Sequence, residues 1–591
     1  MTRTRKTYLF LIAIALFYWT VFHLKSALGG QISSDLLDQL EGMAASQQVS
    51  AIVYLKDNPG SASKFSELPD RFNRQDRYRD LIGRLHFQAQ EGQQNLTSSL
   101  RLWMNDGKVT SFKNYWIANA IAVTAPIELI NQLAGRNDIE MIYPDYPVTL
   151  VAPVDEKEIL SAGVSLDAVQ TAIGAKQVWQ QGLTGKGRLV CILDTGVDGL
   201  HPALASSWRG RDASVASATE SWWDPFGTSF PKDDQGHGTH VAGIICGRSA
   251  TDSIGIAPEA EWIAAAVVDR GTTKDVTITN ILDALQWAVN PDGDTTTFDD
   301  VPDVINNSWG FPKSFYPDCE ELFWQAIDNV EAAGIVVVFA AGNEGPDRST
   351  MRVPADRSSS PYNSFAVGAV SVQDYGFQIA PFSSRGPSRC DSTRAKPEMV
   401  APGVDIYSCY PGGQYKLMSG TSMAAPMISA AVVILRQLDP EISVDQIKEV
   451  LIKTATDQGP AGKDNDYGSG VINIAAAVEY WKEVKKLNEP AAAIPQDFRL
   501  QQNYPNPFNA GTTIRYEVKP NTSGSEKVEL KIYNLLGQQV KNLVNGFEPA
   551  GFYSINWDGT DDQGEKVGTG IYFYRFEAGD FSQTKKMVLL K

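Results

Sequence analysis

The sequence predicts an α/β protein in which a parallel β-sheet is flanked by helices, with a small α+β unit ahead of it and a β-sandwich behind it. Three observations predict this. Between about residues 165 and 480, strand-length apolar runs alternate with helix-length runs, the pattern of a sheet covered on both faces. Residues 31–150 carry a shorter series of strands and helices of their own. Beyond residue 496 only short β-runs remain, separated by Gly, Asn, Asp and Pro.

Composition agrees with several domains in one globular chain. At 591 residues the chain exceeds the usual size of one domain. Hydrophobic residues make up 43% and charged residues 20%, ordinary values for a folded protein. A net charge of −17 with no long basic run argues against nucleic acid as a partner. Five cysteines are too few to form a disulfide framework, and their odd number leaves at least one unpaired. Cys191 and Cys246 fall in apolar runs and read as small buried hydrophobes. Cys390 and Cys409 are candidates for a bridge.

In order along the chain, Arg3, Arg5 and Lys6 precede an apolar run from Tyr8 to Phe22, followed by Ser26, Ala27, Gly29 and Gly30. These are the three regions of a secretory signal peptide. The run is shorter than the roughly 20 residues of a spanning helix, so residues 1–29 are expected to be cleaved after Ala27 or Gly29 and the protein exported across the inner membrane. Residues 30–150 follow as the α+β unit. Its strands are expected at Val49–Leu55, Ala118–Ala125 and Ile139–Tyr143, and its helices at Asp76–Trp103 and Pro126–Ala134.

The α/β region spans 151–480. Strands are expected at Arg188–Leu193, Glu261–Val267, Asp303–Asn307, Ile335–Ala340 and Phe365–Val370. Helices are expected at His237–Cys246, Val276–Val289, Glu320–Ala333 and Ser422–Leu438. In such sheets chemistry sits beyond the carboxyl ends of the strands, where Asp194 and Asn343 fall. Residues 481–496, charged and then Ala- and Pro-containing, read as a linker. Residues 497–591 contain β-runs at Ile514–Val518, Val528–Tyr533, Tyr553–Trp557, Ile571–Phe576 and Lys586–Leu590, which suit a small immunoglobulin-like sandwich.

Three blocks carry chemistry. Asp194-Thr195-Gly196 closes a buried strand, while Gly236-His237-Gly238-Thr239-His240 and Gly420-Thr421-Ser422-Met423-Ala424 each open an apolar helix. A serine hydroxyl needs a base within hydrogen-bond reach and a third group to orient that base, and histidine has the suitable pKa. Of the five histidines, His23 lies in the leader, His86 in the α+β unit, and His201 in no recognisable motif. His237 and His240 remain. Their i, i+3 spacing shares a helix face, but a zinc-protease helix spaces its histidines by four and has Glu after the first. An aspartic protease needs two Asp-Thr-Gly loops sharing a proton, and only one is present.

The order Asp, His, Ser, with all three blocks intact, resembles the subtilisin-like serine protease (subtilase) family over roughly residues 165–480. The resemblance implies a subtilisin-like sheet and a secreted serine endopeptidase. It assigns Ser422 as nucleophile, His237 as base and Asp194 as its orienting carboxylate. Ala340-Ala341-Gly342-Asn343-Glu344-Gly345 matches the family's oxyanion block, with Asn343 as donor. Ser308-Trp309-Gly310, together with Ala341 and Gly342, implies the wall that binds an extended substrate. The leading specificity pocket lies between Asn343 and Pro354-Ala355, in a shortened loop where Arg352 is expected to favour acidic substrate side chains.

The run Asn119 to Thr124, a helix, and then Ile142-Tyr143-Pro144-Asp145 resemble the inhibitor-type propeptide of subtilases. That implies a self-processing zymogen cut between about Pro144 and Ser165. Asn503-Tyr504-Pro505-Asn506-Pro507-Phe508, Ile532 to Gly537 and the ending Lys585 to Lys591 resemble the C-terminal sorting domain of bacterial type IX secretion, which implies the secretion machinery as a partner. The chemistry requires no cofactor. Structural calcium is an option carried by the family, but no EF-hand-like spacing assigns its ligands. The competing class is a non-catalytic surface protein that keeps the fold and binds rather than cuts. For the last domain the competitor is sugar binding or adhesion.

Overall fold

Strand β1, Gln48–Leu55, reads Gln-Val-Ser-Ala-Ile-Val-Tyr-Leu, β-branched and apolar enough to sit inside a sheet. It lies between β3 (Ala120–Pro126) and β4 (Ile139–Pro144), antiparallel to both, with β2 (Ser111–Tyr115) on the outer edge of β3. The computed structural model describes residues 32–56, 73–148, 150–154, 166–213, 216–249, 253–269, 275–316, 319–360, 364–373, 376–488, 495, 497–508, 511–521 and 524–590. The leader expected over 1–29, residues 155–165 of the maturation interval and linker residues 489–494 lie outside them.

Helix α1 (Ser34–Leu40) precedes this sheet, and α2 (Arg74–Asn105) and α3 (Ile127–Ala134) are threaded between its strands. Asn73 caps α2, its side chain accepting from Asp76 N at 2.7 Å. The buried face of α2 runs Tyr78, Leu81, Ile82, Leu85, Ala89, Gln93, Leu96 and Leu100, the three-and-four spacing of an amphipathic helix. Its later part closes the unit's own core with Val53, Val123 and Ile130. Its earlier part, with Tyr54, Tyr115 and Tyr143, joins a second core that includes Leu193, Ile305, Trp309 and Phe339 of the α/β region. The N-terminal residues therefore share a hydrophobic core with the α/β domain.

That domain is built on the order β11-β10-β9-β8-β5-β7-β6, with β12 against β10. The strands are β5 (Leu189–Asp194), β6 (Trp222–Trp223), β7 (Glu261–Ala266), β8 (Val304–Asn307), β9 (Val336–Ala340), β10 (Phe365–Gln373), β11 (Gly376–Ile379) and β12 (Met399–Pro402). All pairs are parallel except β10 with β11. The sheet is thus mostly parallel rather than wholly so. Gln373 pairs with Gly376, and a connection that short turns the chain back, whereas a parallel crossover needs a dozen residues or more. Every residue of β5 is buried, as expected for a strand covered on both faces.

Four helices frame the site: α4 (His237–Cys246), α5 (Ile278–Val289), α6 (Trp324–Ala332) and α7 (Thr421–Leu438). Helix α7 is apolar and long enough to cross a membrane by composition, but it is 89% buried within this domain. Pro426 within it has no N–H to give to the carbonyl of Ser422. The Ser308 hydroxyl donates to that carbonyl instead, at 3.3 Å. The hairpin of β13 (Ile406–Tyr410) and β14 (Gln414–Met418) packs beside α4.

Cys390 bonds to Cys319, with Cα atoms 4.6 Å apart, and not to Cys409. Cys409 lies fully buried in β13, where a Cβ on Gly243 of α4 would come within 2.8 Å of its sulfur. Cys191, Cys246 and Cys409 are free thiols.

The chain divides into two units, one ending at Trp481 and the other beginning at Lys482. The second is a sandwich of a three-stranded sheet, β15-β16-β19, on a four-stranded sheet, β18-β17-β20-β21. The strands are β15 (Arg499–Leu500), β16 (Thr512–Val518), β17 (Glu526–Asn534), β18 (Gln539–Glu548), β19 (Gly551–Trp557), β20 (Gly570–Ala578) and β21 (Phe581–Leu589). Ile514, Leu530, Trp557 and Phe576 fill the space between the sheets. Strands β15 and β18 are additional to the five runs read from sequence. No residue of the edge strand β18 is fully buried, so it carries no clear alternation to read.

Candidate active site

The carboxylate of Asp194, last residue of β5, is inaccessible to solvent. Its Oδ1 accepts from Thr195 N and from Nδ1 of His237, each at 2.7 Å. His237 opens α4 directly after Gly236, which holds φ at +89°. A Cβ on Gly238 would lie 2.0 Å from the Gly196 carbonyl oxygen. Only glycine there lets the His237 helix approach the Asp194 turn closely enough for the bond to form.

Asp233 holds this corner together. It is 6% exposed. Its Oδ1 accepts from Thr195 Oγ1 at 2.9 Å, Gln235 N at 3.0 Å and Gly236 N at 2.8 Å. Its Oδ2 accepts from Thr239 N at 2.9 Å and Thr239 Oγ1 at 2.7 Å. Thr195 Oγ1 in turn accepts from Gly238 N at 2.9 Å. The sequence reading missed Asp233. Its only signal is an acidic residue three or four positions before His237, which Asp234 beside it fits equally well.

Ser422 is the second residue of α7, and α7 packs against α4. The Ser422 hydroxyl donates to the Val151 carbonyl at 2.9 Å, while Nε2 of His237 is buried with no hydrogen-bond partner. Asn343 lies in the loop after β9. Its Oδ1 accepts from Thr421 N and Thr421 Oγ1, both at 2.9 Å, which fixes the amide and aims Nδ2 at the Ala152 carbonyl, 2.7 Å away.

The segment 150–154 runs extended through this cleft. Leu150 pairs antiparallel with Trp309, Val151 N donates to Ser308 O at 3.3 Å, and Val154 N donates to Ser419 O at 2.9 Å. Ser308, Trp309 and Gly310 thus supply the edge on which the segment lies. Trp309 is held by its indole N–H on Asn307 Oδ1 at 3.0 Å. The polar groups of Ala341 and Gly342 serve the wall itself: Ala341 O accepts from Arg352 N, and Gly342 O from Ser384 N, both at 3.0 Å.

Arg352 is not free for an acidic substrate. Its Nε and Nη2 bond Glu344 Oε1 at 2.9 and 2.5 Å, which neutralises it. His240 stands apart from the chemistry. Its Nε2 bonds the Lys416 carbonyl at 3.0 Å, and burial pushes its pKa down to about 3, so it stays neutral. His201 is likewise buried, with Nε2 on the Gln414 carbonyl at 2.9 Å. Among the described residues no group of three or more His, Cys, Asp or Glu side chains is arranged to hold a metal ion. The calcium carried by the resemblance therefore has no ligands assigned.

The arrangement pairs a buried carboxylate with a histidine on a helix that packs against the helix opened by the serine, and a carbonyl-directed amide faces a bound peptide strand. That is the equipment of acyl transfer. Residues 185–470 match the subtilase family, and residues 506–580 match the FlgD Ig-like domain. The chain is 34% identical over 424 residues to Bacillopeptidase F of Bacillus subtilis (strain 168), covering 67% of this chain but only 28% of that protein. It is 34% identical over 310 residues to Subtilisin DY of Bacillus licheniformis, covering 52% of this chain and 96% of the relative. It is 31% identical over 367 residues to the Minor extracellular protease Epr of Bacillus subtilis (strain 168), covering 60% of this chain and 49% of the relative.

Proposed function

The chain belongs to the subtilase family, and we propose that it is a secreted serine endopeptidase, made as a zymogen that cuts itself. The observation that carries this reading is the peptide strand in the cleft. Ser422 Oγ bonds its Val151 carbonyl and the Asn343 amide bonds its Ala152 carbonyl, beside the buried Asp194–His237 pair.

The proposed mechanism follows from those groups. Ser422 Oγ bonds to the carbonyl carbon as its proton passes to Nε2 of His237. Asp194 holds the ring by Nδ1 and stabilises the imidazolium. The carbonyl oxygen takes the negative charge, facing the Asn343 amide and the Ser422 N–H. Collapse breaks the C–N bond, with the His237 proton leaving on the amine. Water then releases the acyl group by the same steps in reverse order. In the precursor the Ser422 hydroxyl is engaged by Val151 and His237 Nε2 has no partner, which supports an inhibited resting state. Substrates are proteins and peptides bound extended along Ser308, Trp309 and Gly310.

Residues 30–150 act as the intramolecular inhibitor in this reading. The core they share with the α/β domain supports that role, as does the bond from Asn329 Nδ2 to the Ile117 carbonyl at 2.7 Å. Export is supported by the leader pattern, by the Cys319–Cys390 bridge, which suits an oxidising compartment, and by an extracellular relative. The Ig-like sandwich and its sequence motifs support a sorting role for residues 497–591.

Intact mass followed over time, wild type beside Ser422→Ala, tests the reading. The wild type is expected to shed a fragment ending at Val151 or Ala152, while the variant stays whole. Equal processing of both would assign the cut to another protease. No processing of either would refute the zymogen.

A further inference from the structure

Arg74, the first residue of α2, is a buried charge that the N-terminal unit places inside the α/β domain. Its Nη1 donates to Asp303 Oδ1 at 2.6 Å and its Nη2 to the Pro302 carbonyl at 3.2 Å. Its backbone N–H, one of the free donors at a helix start, goes to Glu441 Oε2 at 2.7 Å. Its guanidinium lies 5.1 Å from the centre of the Phe298 ring. A Cβ on Gly334 would stand 3.0 Å from Arg74 Nε, so the slot is shaped around this side chain. The slot is far from the cleft. Asp303 directly precedes β8, whereas Ser308 directly follows it. Ser422 opens α7, and Arg436, beside Asp303, stands in its last turn, about 20 Å along the axis at about 1.5 Å per residue.

We propose that this slot is a second binding site of the α/β domain, separate from the cleft, which takes an arginine at the first position of a helix and keeps the N-terminal fragment bound after the cut. The proposal rests on the zymogen reading above. A buried ion pair resists separation because removing one partner strands the other charge. Here it does not. Arg188 Nη1 and Arg436 Nε stand 3.8 and 3.9 Å from the same Asp303 Oδ1, so the carboxylate keeps two cations beside it when Arg74 leaves. Burial, and then the Arg74 charge, push the Arg436 pKa down to about 9, so the departure of Arg74 also relieves a like-charge contact. Arg74 adds what the other two arginines do not, direct hydrogen bonds to the slot. The slot is thus a latch that holds and still releases. It acts together with the strand in the cleft. The two contacts are joined through the folded N-terminal unit, so a fragment that lets go at one is kept near it by the other. A cut at Val151 or Ala152 leaves the slot occupied, and release of the fragment, rather than the cut, sets when activity appears.

The test follows the full chain as it matures, wild type beside Arg74→Ala, with time counted from the cut. Intact mass reads the cut, size-exclusion chromatography reads the retained fragment, and peptide hydrolysis, as a fraction of its final level, reads activity. Once the fragment has gone the two mature enzymes are identical in sequence, so a difference in timing belongs to the fragment alone. The wild-type fragment is expected to co-elute with the enzyme and delay activity. The Arg74→Ala fragment is expected to leave about 10–100-fold faster, from the lost charged hydrogen bonds, and to shorten the delay in proportion. Glu441→Gln weakens the slot from the α/β side and is expected to speed release about fivefold, which keeps the proposal open to refutation if Arg74→Ala does not fold. A wild-type rate of release from Arg74→Ala, or from Glu441→Gln where the first variant does not fold, would overturn the proposal. So would a wild-type fragment that leaves as fast as it is cut. A wild type that does not cut itself would overturn the zymogen reading, and this proposal with it.

Discussion

Replacing Asp233 by Asn should lower kcat about a hundredfold while the protein stays folded. The carboxylate accepts five hydrogen bonds at 2.7–3.0 Å in a site 6% exposed. Asparagine keeps Oδ1 but turns Oδ2 into an NH2 group. Both bonds from Thr239 are lost, and the Thr239 N–H then faces another donor. A buried N–H without an acceptor costs about 1–3 kcal/mol, and the three surviving bonds each lose about 1 kcal/mol of charge assistance. Bonds to one carboxylate do not add in full, so the anchoring of the loop falls by about 3 kcal/mol. The loop spans His237, since Gly236 N and Thr239 N are bound on either side of it. A shift of about 1 Å at a catalytic base costs about 10²-fold in rate. The assay is kcat per fluorophosphonate-labelled site, with Tm measured alongside on the Ser422→Ala background. If Asp233→Asn keeps kcat within about threefold of wild type, the five-bond clamp does not position the base and the reasoning fails.

Two further outcomes follow from the same geometry. Asn343→Ala should lower kcat on the order of 10²–10³ with KM little changed, because it removes a donor aimed at the carbonyl oxygen; an equal rise in KM would show that Asn343 only binds. Glu320, whose carboxylate Oε1 accepts from Glu321 N at 2.9 Å and Leu322 N at 3.1 Å, faces Tyr54, Tyr143 and Asp35 of the N-terminal unit. Burial first, with Asp35 and Glu321 adding, raises its pKa to about 7. A raised carboxylate holds its proton in the folded contact, so its contribution is complete below the ordinary pKa near 4.5 and is lost as pH rises through about 7. In full-chain Ser422→Ala, protease resistance of the N-terminal unit should therefore fall between about pH 4.5 and 7 and level off above that, and Glu320→Gln should flatten that fall. His240 is neutral in the fold but protonates in an unfolded chain near its ordinary value of 6.5, so its slope opposes that of Glu320 and is cancelled by comparing Glu320→Gln with its parent. An unchanged slope in the variant would assign the pH dependence elsewhere.

Much of the chemistry was legible in the sequence because it is local. Asp194 ends a strand, His237 and Ser422 open helices and Asn343 follows a strand by three residues, and the glycines beside them are set by backbone demands within a few residues. Gly236 supplies a positive φ directly before His237, and Gly238 gives the clearance that lets Asp194 reach it. Strands covered on both faces likewise announce themselves as continuous apolar runs, as β5 and β9 do. Edge strands such as β18 do not, because neither face is fully buried.

The sequence by itself determined the candidate residues for acyl transfer and the alternation that builds the sheet beneath them. Only the tertiary structure decided what those residues touch. Leu150 and Arg352 are 202 residues apart, and Cys319 and Cys390 are 71 apart. Asp233 and Asp234 look alike in the chain until the fold buries one of them on five donors. The physical reason is the same in each case. A turn or a strand is fixed by the conformational preferences of neighbouring residues, whereas a partner across the cleft is fixed by which segments the folded core brings within hydrogen-bond distance. Arg352 shows this most plainly: its sequence reading as an acid-seeking charge gave way to a neutral pair because folding brings the Glu344 carboxylate against it.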